Sequence, residues 1–294
     1  EAMSHAMAFS YANVHRGLHT LANETTDAYE AARRSAARLI GAAEAEIVFT
    51  KGATEGINLV ASGLGASLQA GDEIVLSEME HHANIVPWHF LRERCGAVLR
   101  VAPITDDGAL DLDAYKALLN ARTKVVALTH MSNVLGTVPD VKSAIYMAHA
   151  VGADVLLDGC QAIVNLKVDV RALDADYYAF TGHKLYGPTG IGALYGKAER
   201  LAALPPYQGG GEMIGTVGFD HITYADPPHR FEAGTPPILE AIGFGAAIEW
   251  LMAQDRAAIA AHEASLYAHV RERLNGANWL RVLGEAPGKG AILS

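Results

Sequence analysis

The chain has 294 residues, half of them hydrophobic, with a net charge of −10 and two cysteines. This is enough apolar content for a sizeable core in one or two domains. The acidic balance argues against a nucleic-acid or acidic-membrane partner. The two cysteines make no disulfide framework, which points to a reduced cytoplasmic compartment. No apolar run reaches the length of a membrane span, and Glu1-Ala2-Met3-Ser4-His5 lacks the basic start and apolar stretch of a signal peptide.

In chain order the pattern alternates helix and strand. Tyr29, Ala32, Ala36, Leu39 and Ile40 recur at helical spacing, and Asp27 and Glu30 stand at capping-box spacing, so a helix is expected from Asp27 to Ile40. Short strands are expected over Glu46 to Thr50, Glu73 to Ser77, Ala97 to Val101, Lys124 to Thr129 and Ala153 to Leu157. Between them, Ile57, Val60, Ala61 and Leu64 mark one helix face, Pro87 suits a helix first turn, and Leu112 to Leu119 and Val141 to Val151 read as helices. Tyr177 to Thr181 and Gly190 to Tyr195 read as two strands joined by a Gly/Pro-rich stretch. Gln208 to Glu212 and Asp226 to Pro237 are irregular and long enough to be functional loops. Helices follow from about Ile238 to Met252 and from Ala257 to Leu274, and Ala291 to Ser294 reads as the start of a strand, so both ends of the chain look cut. The fold class is therefore α/β, a mainly parallel sheet covered by helices on both faces.

Five loops carry residues suited to chemistry, and each follows a strand. In such sheets, loops at the carboxyl ends of strands line the ligand crevice. Lys184, in Thr181-Gly182-His183-Lys184-Leu185, can form a Schiff base with a carbonyl cofactor, and Gly187-Pro188-Thr189-Gly190 turns the chain tightly back after it. Asp158 ends the run Val155-Leu156-Leu157, where a carboxylate can pair with a protonated pyridine nitrogen, and Gln161 can reach a ring oxygen. Gly52-Ala53-Thr54-Glu55-Gly56 offers amides at a helix start and the Thr54 hydroxyl to a phosphate. His81 of Glu80-His81-His82-Ala83-Asn84 can stack on an aromatic cofactor and move protons; the adjacent His82 has no further ligand at metal spacing, so no metal is expected. Asn133 of Ser132-Asn133-Val134 can reach a phenolate oxygen. Phosphate cup, ring stack, phenolate donor, pyridinium partner and Schiff-base lysine together fit pyridoxal 5′-phosphate.

Several strings resemble the SufS-like (group II) cysteine desulfurases of the class V aminotransferase family, which are fold-type-I pyridoxal-phosphate enzymes. They are YANVHRGLHT at Tyr11 to Thr20, KGATEGINLVA at Lys51 to Ala61, EHHANIVPW at Glu80 to Trp88, SNVLGTV at Ser132 to Val138, DGCQA at Asp158 to Ala162, TGHKLYGPTGIGALYG at Thr181 to Gly196, GGGEMI at Gly209 to Ile214 and RFEAGTPP at Arg230 to Pro237. The resemblance implies a seven-stranded sheet, a cofactor-binding large domain over residues 1–250, and the beginning of a small C-terminal domain over 251–294. It also implies roles. Lys184 would hold the cofactor covalently, Asp158 would face the pyridine nitrogen, and Gln161 the ring oxygen. His81 would stack and move protons, and Asn133 would lie near substrate and ring. Thr54, Thr181 and His183 would hold the phosphate. Thr235 would reach the phosphate of the other subunit of a homodimer, and His15 and Arg16 would line the entrance. The implied reaction converts L-cysteine to L-alanine and leaves an enzyme persulfide, whose sulfur passes to an acceptor protein for iron–sulfur cluster assembly. The family's nucleophilic cysteine and carboxylate-binding arginine belong to a C-terminal region that Cys95 and Cys160 do not match, so this chain alone is expected to be inactive. A selenocysteine lyase, another class V enzyme (aminotransferase or epimerase) and a non-catalytic relative remain open as alternatives.

Overall fold

A computed structural model describes residues 1–294. The elements are α1 (Ala2–Phe9), α2 (Thr20–Ile40), β1 (Ile47–Thr50), α3 (Ala53–Gly65), β2 (Glu73–Ser77), α4 (Val86–Cys95), β3 (Val98–Ala102), α5 (Leu112–Leu118), β4 (Thr123–Thr129), α6 (Val141–Ala150) and β5 (Asp154–Asp158). There follow α7 (Ala162–Asn165), α8 (Val170–Leu173), β6 (Tyr177–Thr181), β7 (Gly192–Gly196), α9 (Ala198–Ala203), β8 (Ile214–Val217), β9 (Ile222–Tyr224), α10 (Ile238–Met252) and α11 (Arg256–Leu274).

The chain forms two compact units, Glu1–Ser67 with Val168–Met252, and Leu68–Lys167 with Ala253–Ser294. The seven strands of the main sheet fall in the order β1-β7-β6 in the first unit and β5-β4-β2-β3 in the second. Strands β2, β3, β4 and β5 pair in parallel, whereas β7 runs antiparallel to both β1 and β6. This is the expected helix-flanked α/β fold. In the first unit α3 packs on β6 and β7, and α10 packs on α2. In the second, α6 lies against β4 and β5, and α4 and α5 against β3. Strands β4 and β5 are nearly continuous apolar runs and are buried, as strands covered on both faces must be.

Besides the short helices α1, α7, α8 and α9, which the sequence reading did not mark, the structure departs from it at three places. Helix α2 begins at Thr20, seven residues before the expected start. His19 caps it by accepting the Ala22 amide, and the Thr25 and Thr26 hydroxyls bond back to the Leu21 and Ala22 carbonyls, each at 2.7 Å. Glu30 therefore serves no capping box; it binds His15 at 2.9 Å and Arg33 at 2.8 Å. Second, β8 and β9 form a small antiparallel hairpin in a stretch that follows the glycines Gly209 to Gly211, and both strands are exposed. Third, Ala291 to Ser294 is not a strand; the segment lies as irregular chain against the turn after β4, with the Gly290 amide on the Gly136 carbonyl at 2.8 Å. No helix is long and apolar enough to cross a membrane.

Candidate active site

The site residues named from the sequence fall into two groups, one in each unit. In the first unit, β6 ends at Thr181 and runs into a tight turn over Gly182, His183 and Lys184. Three backbone bonds close this turn on Gly182: its amide donates to Ile191, and its carbonyl accepts from Leu185 and Gly187, all within 2.8–2.9 Å. A side chain at 182 would meet the Pro188 carbonyl oxygen at 2.9 Å, so only glycine fits. The turn therefore holds Lys184, half-buried, at a fixed point just beyond the strand end.

Beside it, helix α3 starts at Ala53 after Gly52, which has no side chain to cap the first turn. The amides there stay available to an anion. Glu55, the acid of that turn, is tied back: it accepts the Lys51 amide at 2.6 Å and the Gln208 side chain at 3.2 Å. The Thr181 hydroxyl lies 3.0 Å from His183 Nδ1 and 3.4 Å from where a Cβ on Gly52 would stand. Gly192 of β7 passes so close to Gly52 that a Cβ on it would lie 2.6 Å from the Gly52 Cα. The structure thus brings Thr181, His183 and the α3 start together, with the exposed Thr54 on the first turn of α3. A cradle of amides, hydroxyls and an imidazole next to a lysine fits a phosphorylated aldehyde.

Three more named residues lie in this unit without joining that cradle by any hydrogen bond. His15 binds Glu30 and stacks edge-on against Tyr29 and His229. Arg16 pairs with Glu212 of the glycine-rich stretch. Thr235 is exposed on the loop after Gly234.

In the second unit, Asp158 ends β5 and is 5% exposed. Its carboxylate accepts the Cys160 amide at 3.0 Å and its carbonyl accepts the His130 amide at 2.9 Å. Gln161 is half-buried two residues after Gly159, at the entry to α7, with no capping bond from its side chain. Asn133 sits half-buried in a turn closed by the Ser132 amide on Thr137 at 2.9 Å and the Gly136 amide on Ser132 at 3.0 Å. His81 is exposed, and its Nδ1 accepts the Ala83 amide at 3.1 Å. The His81 and His82 rings diverge, with centroids 5.8 Å apart.

Sequence reasoning missed Glu80. It is 8% exposed and accepts three hydrogen bonds: the Ser77 hydroxyl at 2.5 Å, the Asn84 amide group at 2.6 Å and the Thr129 backbone amide at 2.9 Å. Burial pushes its pKa up to about 7, against the pull of those three donors. The spacing Ser77 to Glu80 after a strand was the available signal.

Residues 1–293 match the family model described as Aminotransferase class-V, and the chain belongs to that family, whose members include pyridoxal-phosphate enzymes. Proteins it resembles within the family include cysteine desulfurases. The chain is 53% identical to the cysteine desulfurase of Dickeya dadantii, over 96% of this chain and 69% of that one. It is 50% identical to the cysteine desulfurase of Synechococcus elongatus over 99% of this chain, but spans about half, 47%, of that protein's length. The crystal structure of the cysteine desulfurase CsdA from Escherichia coli superposes with a TM-score of 0.91 at 41% identity, covering 99% of this chain and 73% of that one.

Proposed function

We propose that the protein is a pyridoxal-phosphate-dependent cysteine desulfurase, taking sulfur from L-cysteine and leaving L-alanine. The observation that carries this is the joining of Lys184 to an uncapped helix start and the Thr181–His183 pair, in a chain about 50% identical to proteins of that name. When bound, pyridoxal phosphate supplies an electron sink that makes the Cα–H bond of the attached amino acid acidic.

The chain's own groups do the rest. The α3 amides, Thr54, Thr181 and His183 would hold the phosphate. Asp158, buried at the end of β5, would face the pyridine nitrogen, while Gln161 and Asn133 would orient the ring through its oxygen. His81, whose Nδ1 accepts the Ala83 amide, would lie against the ring. Lys184 Nζ would be the amine that holds the cofactor and the base placed to take up the substrate's Cα proton. Neither cysteine suits the sulfur-accepting role: Cys95 Sγ donates to the Leu91 carbonyl at 3.0 Å, and Cys160 is 8% exposed. A nucleophile must be an accessible thiolate, so neither Cys95 nor Cys160 is assigned that role. The same proposal includes a homodimer in which Thr235 serves the neighbouring site, His15 and Arg16 at the entrance, and a sulfur-acceptor protein in the cytoplasm that feeds iron–sulfur cluster assembly. It also takes residues 1–250 as the large domain and 251–294 as the start of the small one.

Borohydride reduction of the full-length protein with pyridoxal phosphate, followed by peptide mapping, tests this. A pyridoxyl adduct on Lys184 and alanine release from cysteine are expected, with no turnover by the 294-residue chain alone. An adduct elsewhere, or none, overturns the assignment.

A further inference from the structure

Glu80 is a buried acid with no part in the steps above. Its partners come from three directions. Ser77 is the last residue of β2, Asn84 closes the turn His82–Asn84, and Thr129 is the last residue of β4. Asn84 is fully buried and also accepts the Trp88 indole N–H at 3.1 Å, so the amide is held at both ends. Thr129 stands opposite Asp158 in the β4–β5 register. His81, by contrast, is tied through Nδ1 only to the Ala83 amide inside its own turn. The direction of its ring therefore follows the backbone of that turn, and Glu80 is what grips the turn.

We propose that Glu80 is a positioning residue for His81: its carboxyl, held by Ser77, Asn84 and the Thr129 amide, fixes the turn from which the imidazole projects and ties it to the strand end beside Asp158. This deepens the reading of His81 as the ring-facing residue and rests on it.

The carboxyl suits the task because it is an acceptor only when ionised, and all three partners can donate. A protonated carboxyl is tolerated too, since the Ser77 hydroxyl can turn to accept its proton without moving heavy atoms. Glutamine keeps the oxygen that Ser77 and Thr129 use but sets an NH₂ group against the Asn84 donor.

The test is a double-mutant cycle on the full-length apoprotein, titrated with pyridoxal phosphate and followed by the absorbance of bound cofactor. Glu80→Ala and His81→Ala are each expected to weaken binding about fivefold to tenfold, the scale of one lost aromatic contact. The double variant should bind no more weakly than His81→Ala, because Glu80 acts through that ring. Glu80→Gln should fall between wild type and Glu80→Ala. Equal losses from Glu80→Ala with and without His81, or wild-type affinity in Glu80→Ala, overturn the proposal. Wild-type affinity in His81→Ala, with the Lys184 adduct intact, removes the role of His81 and this inference with it, but leaves the lysine assignment standing. Should Glu80→Ala fail to fold, Glu80→Gln with and without His81→Ala completes the same cycle.

Discussion

Two buried carboxylate clusters, one in each unit, solve the same problem in opposite ways. In the first unit, Arg33 is 2% exposed and bridges Glu232 at 2.6 Å, Glu30 at 2.8 Å and the Ile47 carbonyl at 2.8 Å. Glu232 also accepts the Phe49 amide at 2.7 Å and the Tyr29 hydroxyl at 3.3 Å. In the second unit, Glu80 has only neutral donors. The consequence shows in the acids. Burial pushes Glu30 up, but His15 and Arg33 outweigh it and hold its pKa at about 2. At Glu80 burial wins, and the pKa rises to about 7. A half-buried carboxyl paired with a histidine and a guanidinium stays charged across the physiological range; a buried one held by hydroxyl and amide groups sits at the edge of losing its charge.

The largest break in this comparison comes from removing the cation. Arg33→Ala should cost about 3–5 kcal/mol in urea denaturation, because Glu232 is left as an uncompensated buried charge. Arg33→Met with Glu232→Met should recover most of that loss; no recovery would mean the cluster acts by packing rather than by charge.

Next in size is the pH dependence. A carboxyl whose folded pKa is raised contributes stability that is fully present below its unfolded value of 4.5 and lost as pH rises through about 7. The wild-type chain should lose up to about 3 kcal/mol from this group across that window, and Glu80→Gln should remove the decline. Glu30 runs the other way, its contribution present above 4.5 and lost as pH falls through about 2. Denaturation midpoints measured between those pH values separate the two; an unchanged slope in Glu80→Gln would show that the carboxyl is not the titrating group.

The smallest effect sharpens the second cluster. Ser77→Ala removes one donor from Glu80 and should cost about 1 kcal/mol, with the cost growing as pH rises and the carboxyl ionises. A cost that is flat with pH would assign Ser77 to the Met79 amide, which it accepts at 3.2 Å, rather than to Glu80.

Much of this molecule was legible beforehand. Strands β2 and β6 and helix α10 were read with their observed bounds, because each is a largely apolar run set off by turn residues such as Asp72, Gly182 and Pro237. The early start of α2 was not, since the polar run Asn23-Glu24-Thr25-Thr26 breaks the apolar period and its hydroxyls cap locally. Lys184, Asp158, His81 and Asn133 could be singled out because each lies at or just after a strand end, which a linear pattern marks, whereas His15, Arg16 and Thr235 were named through the family resemblance alone. Glu80 and Glu232 were not assigned: Ser77 and Asn84 lie near Glu80 in the chain, but the Thr129 amide that completes its site is 49 residues away, and Arg33 is 199 residues from Glu232.

The sequence by itself determined the alternation of strands and helices, the loop that carries Lys184 and the glycines that no side chain could replace beside it. Those are local properties, set by period, turn chemistry and the room at a single backbone position. Tertiary structure alone decided which carboxyls meet a guanidinium and which meet only neutral donors. That difference is a matter of burial and of neighbours distant in the chain, and it governs whether an acid keeps its charge.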